Sequence, residues 1–366
     1  MLLAGIGLLV LLLLARPYAV LGGEATGTRA PERDPSALDA SPPAWAMDSP
    51  VGPLEYRQLQ GLRIGKTGLN IGGFTTLEGT RLEGEPGTFA IDGITFLLLY
   101  EPVHYFHLFS ELEIADILEV GGGDVTSDTE LDVDRLYGEI GASDALNLRV
   151  GQFLTPVGLW NPVLAEPLLW TTSDPLITEF AFDEVTNGAM VRGSLFPASG
   201  SLSYQFYGQY LDPIDPEPDP DVSRSHHGTG FYLDYSGADG SWSTGTSFLA
   251  SERDGEWSFL GGLDGAWYRG PLEITAELLF SGGDRADRRV WGTYVQGVYE
   301  VVPRVYLVGR YEYFDPAEGA ARVNVFDVGF AWAPRPYLLL KADYSFVDHS
   351  SDVAAPGFRG SFSILF

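Results

Sequence analysis

From Gly61 onward the chain is built of segments of roughly ten residues in which apolar and polar side chains alternate, separated by Gly, Pro, Asp and Asn. A period of two marks a strand with one buried face, and many such segments in series predict an all-β protein. Sixteen segments can be counted, beginning near residues 68, 88, 103, 130, 145, 187, 201, 228, 241, 256, 271, 287, 304, 321, 336 and 357. The connections alternate in length. The long ones are 79–87, 117–129, 153–186, 212–227, 251–255, 281–286, 315–320 and 348–356; the short ones include Glu101-Pro102, Ser143-Asp144, Arg269-Gly270, Val302-Pro303 and Pro334-Arg335. Long loops on one side and tight turns on the other are the layout of a transmembrane antiparallel β-barrel with external loops and periplasmic turns. A soluble sandwich or propeller has no reason to alternate loop length along the whole chain.

The two faces of the segments differ as a barrel requires. Val305, Leu307, Tyr311 and Tyr313 share one face, with Arg310 and Glu312 on the other. Leu338, Leu340, Tyr344 and Phe346 are set against Lys341, Asp343 and Ser345, and Leu272, Ile274, Leu278 and Phe280 against Glu273 and Glu277. A charge facing lipid costs about 2–4 kcal/mol near the midplane, whereas a wet lumen accepts it. The polar faces are therefore assigned inward. They carry the acids Glu111, Glu113, Glu139, Asp234, Asp264, Glu273, Glu277, Glu312, Asp327 and Asp343, and the bases Arg135, Arg149, Arg192, Arg310 and Lys341. Segment 88–100 fits neither assignment, being apolar on both faces around Asp92.

Composition agrees with this layout. With 45 Gly, 21 Phe, 18 Tyr and 8 Trp, the chain has the glycine and aromatic content of strands ending in aromatic girdles. There is no Cys, which excludes disulfides, thiolate metal sites and cysteine nucleophiles. The net charge of −28 argues against nucleic acid as a partner, because phosphate binding needs a basic footprint.

Residues Met1–Ala15 are an apolar run too short for a spanning helix, which needs about 20 residues. With small residues at Gly23 and Ala25 it fits a secretory signal peptide over 1–25, although no Lys or Arg precedes the run. Residues 26–60 are rich in Pro, Asp, Ala and Ser without a period, and are expected as a flexible periplasmic segment ahead of a barrel over 61–366.

The chain ends Ser361-Phe362-Ser363-Ile364-Leu365-Phe366. This resembles the C-terminal signal, here Phe362, Ile364 and Phe366, by which the barrel-assembly machinery recognises outer-membrane proteins. The stretch Leu146-Asn147-Leu148-Arg149-Val150-Gly151-Gln152-Phe153-Leu154-Thr155-Pro156-Val157-Gly158 resembles a strand and following loop of the phosphate-selective porin O/P-like family. That resemblance implies a 16-stranded, usually trimeric porin seated among lipid and lipopolysaccharide, with its third external loop folded into the lumen. The phosphate-specific members line their path with Arg and Lys. Here the inward acids outnumber the bases, so the lumen is expected to favour cations or neutral solutes.

The third external loop, 153–186, is long enough to be functional and is rich in Trp and Leu, which argues against a solvated flap. It is expected to pack on the inner wall and to present Glu166, Asp174, Glu179, Asp183 and Glu184 at a constriction. Inward Arg135, Arg149 and Arg192 stand beside its base. Either they oppose the loop's acids across the pore and set up a transverse field, or they pair with Glu139 and its neighbours. The acidic loop Asp212–Asp221 lacks the spacing of a calcium loop and is read as solvated. The pair His226-His227 lacks patterned partner ligands. No cofactor or metal is expected.

These readings favour passive diffusion of small hydrophilic solutes or ions. The rivals are a dedicated uptake channel for carboxylates, sugars or hydrophobic compounds, an outer-membrane enzyme, and a plugged structural barrel. An enzyme is disfavoured by five histidines in all and no Gly-x-Ser-x-Gly motif.

Overall fold

The structure, a computed structural model, describes residues 45–211, 214, 225, 227–253, 255–283, 289–316, 321–348 and 353–366. The strands in chain order are β1 (Trp45–Met47), β2 (Leu54–Arg57), β3 (Gly61–Ile64), β4 (Leu69–Leu82), β5 (Thr88–Val103), β6 (Phe106–Gly121), β7 (Asp124–Thr126), β8 (Glu130–Ser143), β9 (Leu146–Leu154), β10 (Val185–Leu195), β11 (Gly200–Gln209), β12 (His227–Gly237), β13 (Trp242–Arg253), β14 (Glu256–Arg269), β15 (Leu272–Gly283), β16 (Val290–Val302), β17 (Val305–Asp315), β18 (Val323–Arg335), β19 (Leu338–Val347) and β20 (Gly357–Leu365). Sixteen of them, β4–β6 and β8–β20, pair antiparallel with their sequence neighbours. The sheet closes where β20 pairs with β4, from Phe358 opposite Arg81 to Leu365 opposite Phe74. Closure satisfies every strand edge, the condition under which a sheet can stand in hydrocarbon.

Side chains divide as the alternation predicts. Phe206, Leu263, Phe280, Leu307, Phe326 and Phe346 are exposed on the outer face. Cross-strand aromatics stack along it, with Phe231 5.9 Å from Phe248 and 6.2 Å from Phe206. Exposed Trp242, Trp267, Tyr299 and Trp332 mark the short-turn end; Trp257 and Trp291 mark the long-loop end. Two aromatic rims around an apolar band are the outer surface of a membrane barrel. Among the described residues no helix is long and apolar enough to cross a membrane, so the strands carry any crossing.

Three places depart from the expected pattern. The connection 251–255, expected long, is a two-residue hairpin turn, because Arg253 pairs directly with Glu256. Gly255 sits there at φ 80°, left-handed backbone that glycine adopts freely. Segment 88–100 resists a single alternation because β5 carries a bulge at Asp92: Thr76 faces Gly93 and Leu77 faces Ile91. The irregularity runs across the sheet. It takes up Asp116 and Ile117 in β6 and Asp134 in β8. The one-residue slips in β5 and β8 reverse which face the following residues occupy, while the two residues taken up in β6 keep its alternation. Lastly, within the expected flexible segment 26–60, the residues from Trp45 onward include β1 and β2. With β3 these form an antiparallel meander that pairs with the first residues of β4, Leu62 opposite Ile71. The proposed leader over 1–25 and most of the acidic loop 212–221, with His226, lie outside the described residues.

Phe362, Ile364 and Phe366, the residues expected to form a C-terminal signal, lie where the barrel closes. Phe362 and Ile364 share the outer face of β20 with exposed Phe358. Phe366 exchanges two backbone hydrogen bonds with Gly73, of 2.9 and 3.0 Å, and its ring meets Phe96 edge-on at 6.2 Å. A Cβ on Gly73 would collide with that ring, which explains the glycine.

Candidate functional site

Residues 155–184 connect β9 to β10 and form the third long loop, L3. Its base is closed by hydrogen bonds from Thr155 N to Glu184 O at 2.8 Å and from Asn161 Nδ2 to the carbonyls of Thr155 and Glu184. Two 3-10 turns, Asn161–Val163 and Glu166–Leu168, and one short helix, α1 (Leu176–Phe180), give it shape. Val157, Trp160, Leu169, Leu176 and Ile177 are buried with inward side chains of the barrel wall, among them Leu249, Leu260, Leu279, Tyr294 and Phe314. Trp170 packs on a second cluster with Val298, Tyr306, Val308 and Ala331. L3 therefore lies inside the sheet, covering the inner face of β13–β19 with apolar contact.

Polar anchors fix that contact. Glu277 accepts hydrogen bonds from Leu159 N (2.8 Å), Trp160 N (2.7 Å) and the Tyr294 hydroxyl (2.6 Å). Gly158, at φ 66°, lets the backbone reach the carboxylate, and a Cβ there would strike Glu277 Oε2. Arg310 is 1 % exposed. It pairs with Glu312 (2.6 Å) and Asp327 (2.9 Å) and donates to Thr171 Oγ1 and to the Ser173 carbonyl and hydroxyl of L3. Glu312 and Asp343 each accept an L3 backbone N–H, from Leu176 and Thr172, both at 2.8 Å. Lys341 pairs with Glu166 and donates to the carbonyls of Glu166 (3.1 Å) and Thr171 (3.0 Å). Glu277, Arg310, Glu312, Asp327 and Lys341 thus each have an opposite charge or several donors, without which burial is prohibitive.

The opposite wall, β6–β10, carries a different set. Arg135 is paired with Glu111. Arg149 donates to Glu139 at 2.7 Å; Arg192 lies 3.5 Å and His107 3.7 Å from the same carboxylate. The guanidinium of Arg149 sits 3.8 Å from the centre of the Tyr137 ring, and that of Arg135 lies 5.1 Å from Phe109. Of the two alternatives for these arginines, pairing with carboxylates is what the geometry has. One Glu139 serves two guanidinium groups, so the pairing leaves excess positive charge, and the Arg192 side chain is 30 % exposed.

The five L3 acids do not act as one set. Glu166 turns to the wall and to Lys341, accepting also from Ser361 at 3.2 Å. Asp183 pairs with Arg253 and accepts from Ser225 N at 2.9 Å. Asp174, Glu179 and Glu184 are exposed, Asp174 accepting from Trp160 Nε1 at 3.1 Å. Glu113 stands over Gly93 beside the bulge. Sequence reasoning placed Glu277 and Asp327 inward without assigning them to the site, and missed Arg253 and His107. Arg253 continues the inward face of Leu249 and Ser251, a signal hidden by reading 251–255 as loop. Asp239, in the turn between β12 and β13, is held below the usual carboxylate range by hydrogen bonds from the Ser241 N–H and hydroxyl. Among the described residues no cluster of His, Cys, Asp and Glu is arranged to hold a metal ion.

No family model and no curated protein matches the sequence. Among solved structures the fold has many counterparts. The outer membrane channel DcaP of Acinetobacter baumannii matches with TM-score 0.59 and 11% identity over 87% of this chain and 99% of that one. OmpT of Vibrio cholerae matches with TM-score 0.58 and 11% identity over 88% and 100%. An anion-selective porin from Comamonas acidovorans matches with TM-score 0.57 and 13% identity over 81% and 99%. The chain has the fold of an outer-membrane porin. At these identities the likeness establishes the porin fold alone, and it does not reach the narrower O/P-like family suggested by residues 146–158. The porin fold also does not fix which solutes pass, so that question falls to the side chains on the two walls.

Proposed function

We propose that the chain is a porin of the Gram-negative outer membrane, through whose lumen small hydrophilic solutes and ions diffuse passively, with cations preferred. The reading rests on one observation: L3 is bound to the β13–β19 wall, while Arg192 on β10 and the carboxylates Asp174, Glu179 and Glu184 of L3 keep exposure. Those three carboxylates are exposed and the Arg192 side chain is 30 % exposed, so both signs of charge reach the space that solutes cross. The arginines are largely offset by Glu111 and Glu139, so carboxylates dominate and attract cations. In this reading the aromatic rims seat the barrel among lipid and lipopolysaccharide, and Phe362, Ile364 and Phe366 present it to the assembly machinery. Three copies associate, as in the trimer form in which OmpT of Vibrio cholerae has been solved. The resemblance of residues 146–158 to the O/P-like porins supplies the strand and loop frame but no phosphate path, because Arg149 within it is taken up by Glu139.

The test is planar-bilayer recording of the purified protein in a KCl gradient. The reading expects stepwise, non-saturating conductance with a reversal potential on the cation side. Absence of conductance would favour the plugged barrel, and strong anion preference would overturn the account of the lumen charge.

A further inference from the structure

Between the underside of L3 and strands β12–β16 lies a cavity of ≈ 510 Å³ that reaches the short-turn end, where Asp239, Gly240 and Gly270 border it. An apolar cavity of about 150 Å³ already holds benzene, so the space is ample for a fused ring with a substituent. Leu159, Val163, Leu168 and Leu169 make its L3 side apolar, and Trp170 and Tyr268 contribute rings. Trp170 is set in place beforehand: its ring lies 4.7 Å from Tyr306, and its Nε1–H donates to Glu273 at 3.3 Å. Asp239 and Glu273 border the cavity, and among the described residues no Lys or Arg does. The Arg310 guanidinium, 5.2 Å from the ring of the lining residue Trp160, is committed to Glu312 and Asp327.

A second, independent feature points to a ligand. Gln296 is 2 % exposed and borders the cavity, and its Oε1 has no hydrogen-bond partner among the described residues. A buried acceptor left unmatched is costly and is normally satisfied. A ligand bearing N–H donors satisfies it, and carboxylates on the same lining select a positive charge on that donor. We infer that this cavity is a binding subsite for organic cations in which a primary or secondary ammonium is attached to a flat apolar ring system. The ring lies between the L3 leucines and Trp170, and the ammonium donates to Gln296 Oε1 and the Glu273 carboxylate. The subsite goes beyond passive diffusion, since it retains one class of solute on the short-turn side of L3.

The subsite is tested by equilibrium binding to the full chain in detergent micelles, with no measurement of conduction, so its failure is separate from failure of the porin reading. The probes are 1-naphthylmethylammonium, the neutral 1-naphthylmethanol and the ringless butylammonium, each with empty micelles as blank. The expected result is saturable binding of the first, with the other two about tenfold weaker or worse. Glu273→Gln and Gln296→Leu, each shown to keep the heat-modifiable mobility of a folded barrel, are expected to weaken the first probe by about tenfold. Equal binding of the neutral alcohol, equal binding of butylammonium, or unchanged binding to both folded variants would each overturn the subsite. If Gln296→Leu does not fold, Glu273→Gln alone decides.

Discussion

Arg310 and Arg192 both point into the barrel from a wall strand, and they do different work. Arg310 is fully enclosed, satisfied by Glu312, Asp327 and two residues of L3. Arg192 shares Glu139 with Arg149 at 3.5 Å and keeps contact with solvent space. The difference comes from L3. Where it lies on the wall, inward charge becomes internal structure; where it does not, inward charge remains at a water-facing surface. A count of inward acids and bases merges these populations, and only the second bears on permeation.

Removing Arg310 gives the largest expected separation of the two walls. Arg310→Leu leaves Glu312 and Asp327 buried without compensation and is expected to cost about 3–5 kcal/mol, read from urea unfolding in detergent. Arg192→Leu is expected to cost about 1 kcal/mol or less on the same assay, as a partly exposed ion pair does. Equal losses would erase the distinction. Next comes depth on the lipid face: Leu263→Arg, on the exposed outer face of β14, is expected to cost about 2–4 kcal/mol in bilayer folding. Thr244→Arg tests the outer face closer to the short-turn rim and is expected to cost about 1 kcal/mol or less. A smaller effect belongs to Gly158→Ala, which adds a Cβ against Glu277 at φ 66°. It is expected to cost about 1–3 kcal/mol and to increase open-channel noise as the L3 clasp loosens. The double variant Arg149→Gln, Arg192→Gln leaves the buried Glu139 without a guanidinium partner and is read by selectivity, not by stability. Its effect is expected in the reversal potential, which moves further to the cation side, and an unmoved potential would remove these arginines from the path.

Much of this was legible in the sequence, since alternation and turn chemistry are local. All sixteen barrel strands begin within a few residues of the positions read from the period of two, and Lys341, Asp343, Arg310 and Glu312 face inward as assigned. The bulges at Asp92, Asp116–Ile117 and Asp134 were not legible, because a slip of register appears only when neighbouring strands are compared. The tight connection at Gly255 was legible in principle and was hidden by the polar residues around it. L3's length and its Trp and Leu content pointed to packing against the wall, and Trp160, Leu169 and Ile177 are buried in the structure. Which acids turn to that wall was beyond the sequence: Glu166 and Asp174 are eight positions apart on one loop, and only the fold sets Lys341 beside the first.

Since the chain has no Cys, the two-wall account can be tested directly by introducing one thiol at a time in bilayer-inserted protein. The account predicts that Arg192→Cys reacts rapidly with a charged, membrane-impermeant thiol reagent. Val298→Cys, inward beneath Trp170, should react slowly, and Val191→Cys, on the outer face, only with a lipid-soluble maleimide. Rapid reaction of all three with the charged reagent, or protection of position 192 equal to that of 298, would contradict it.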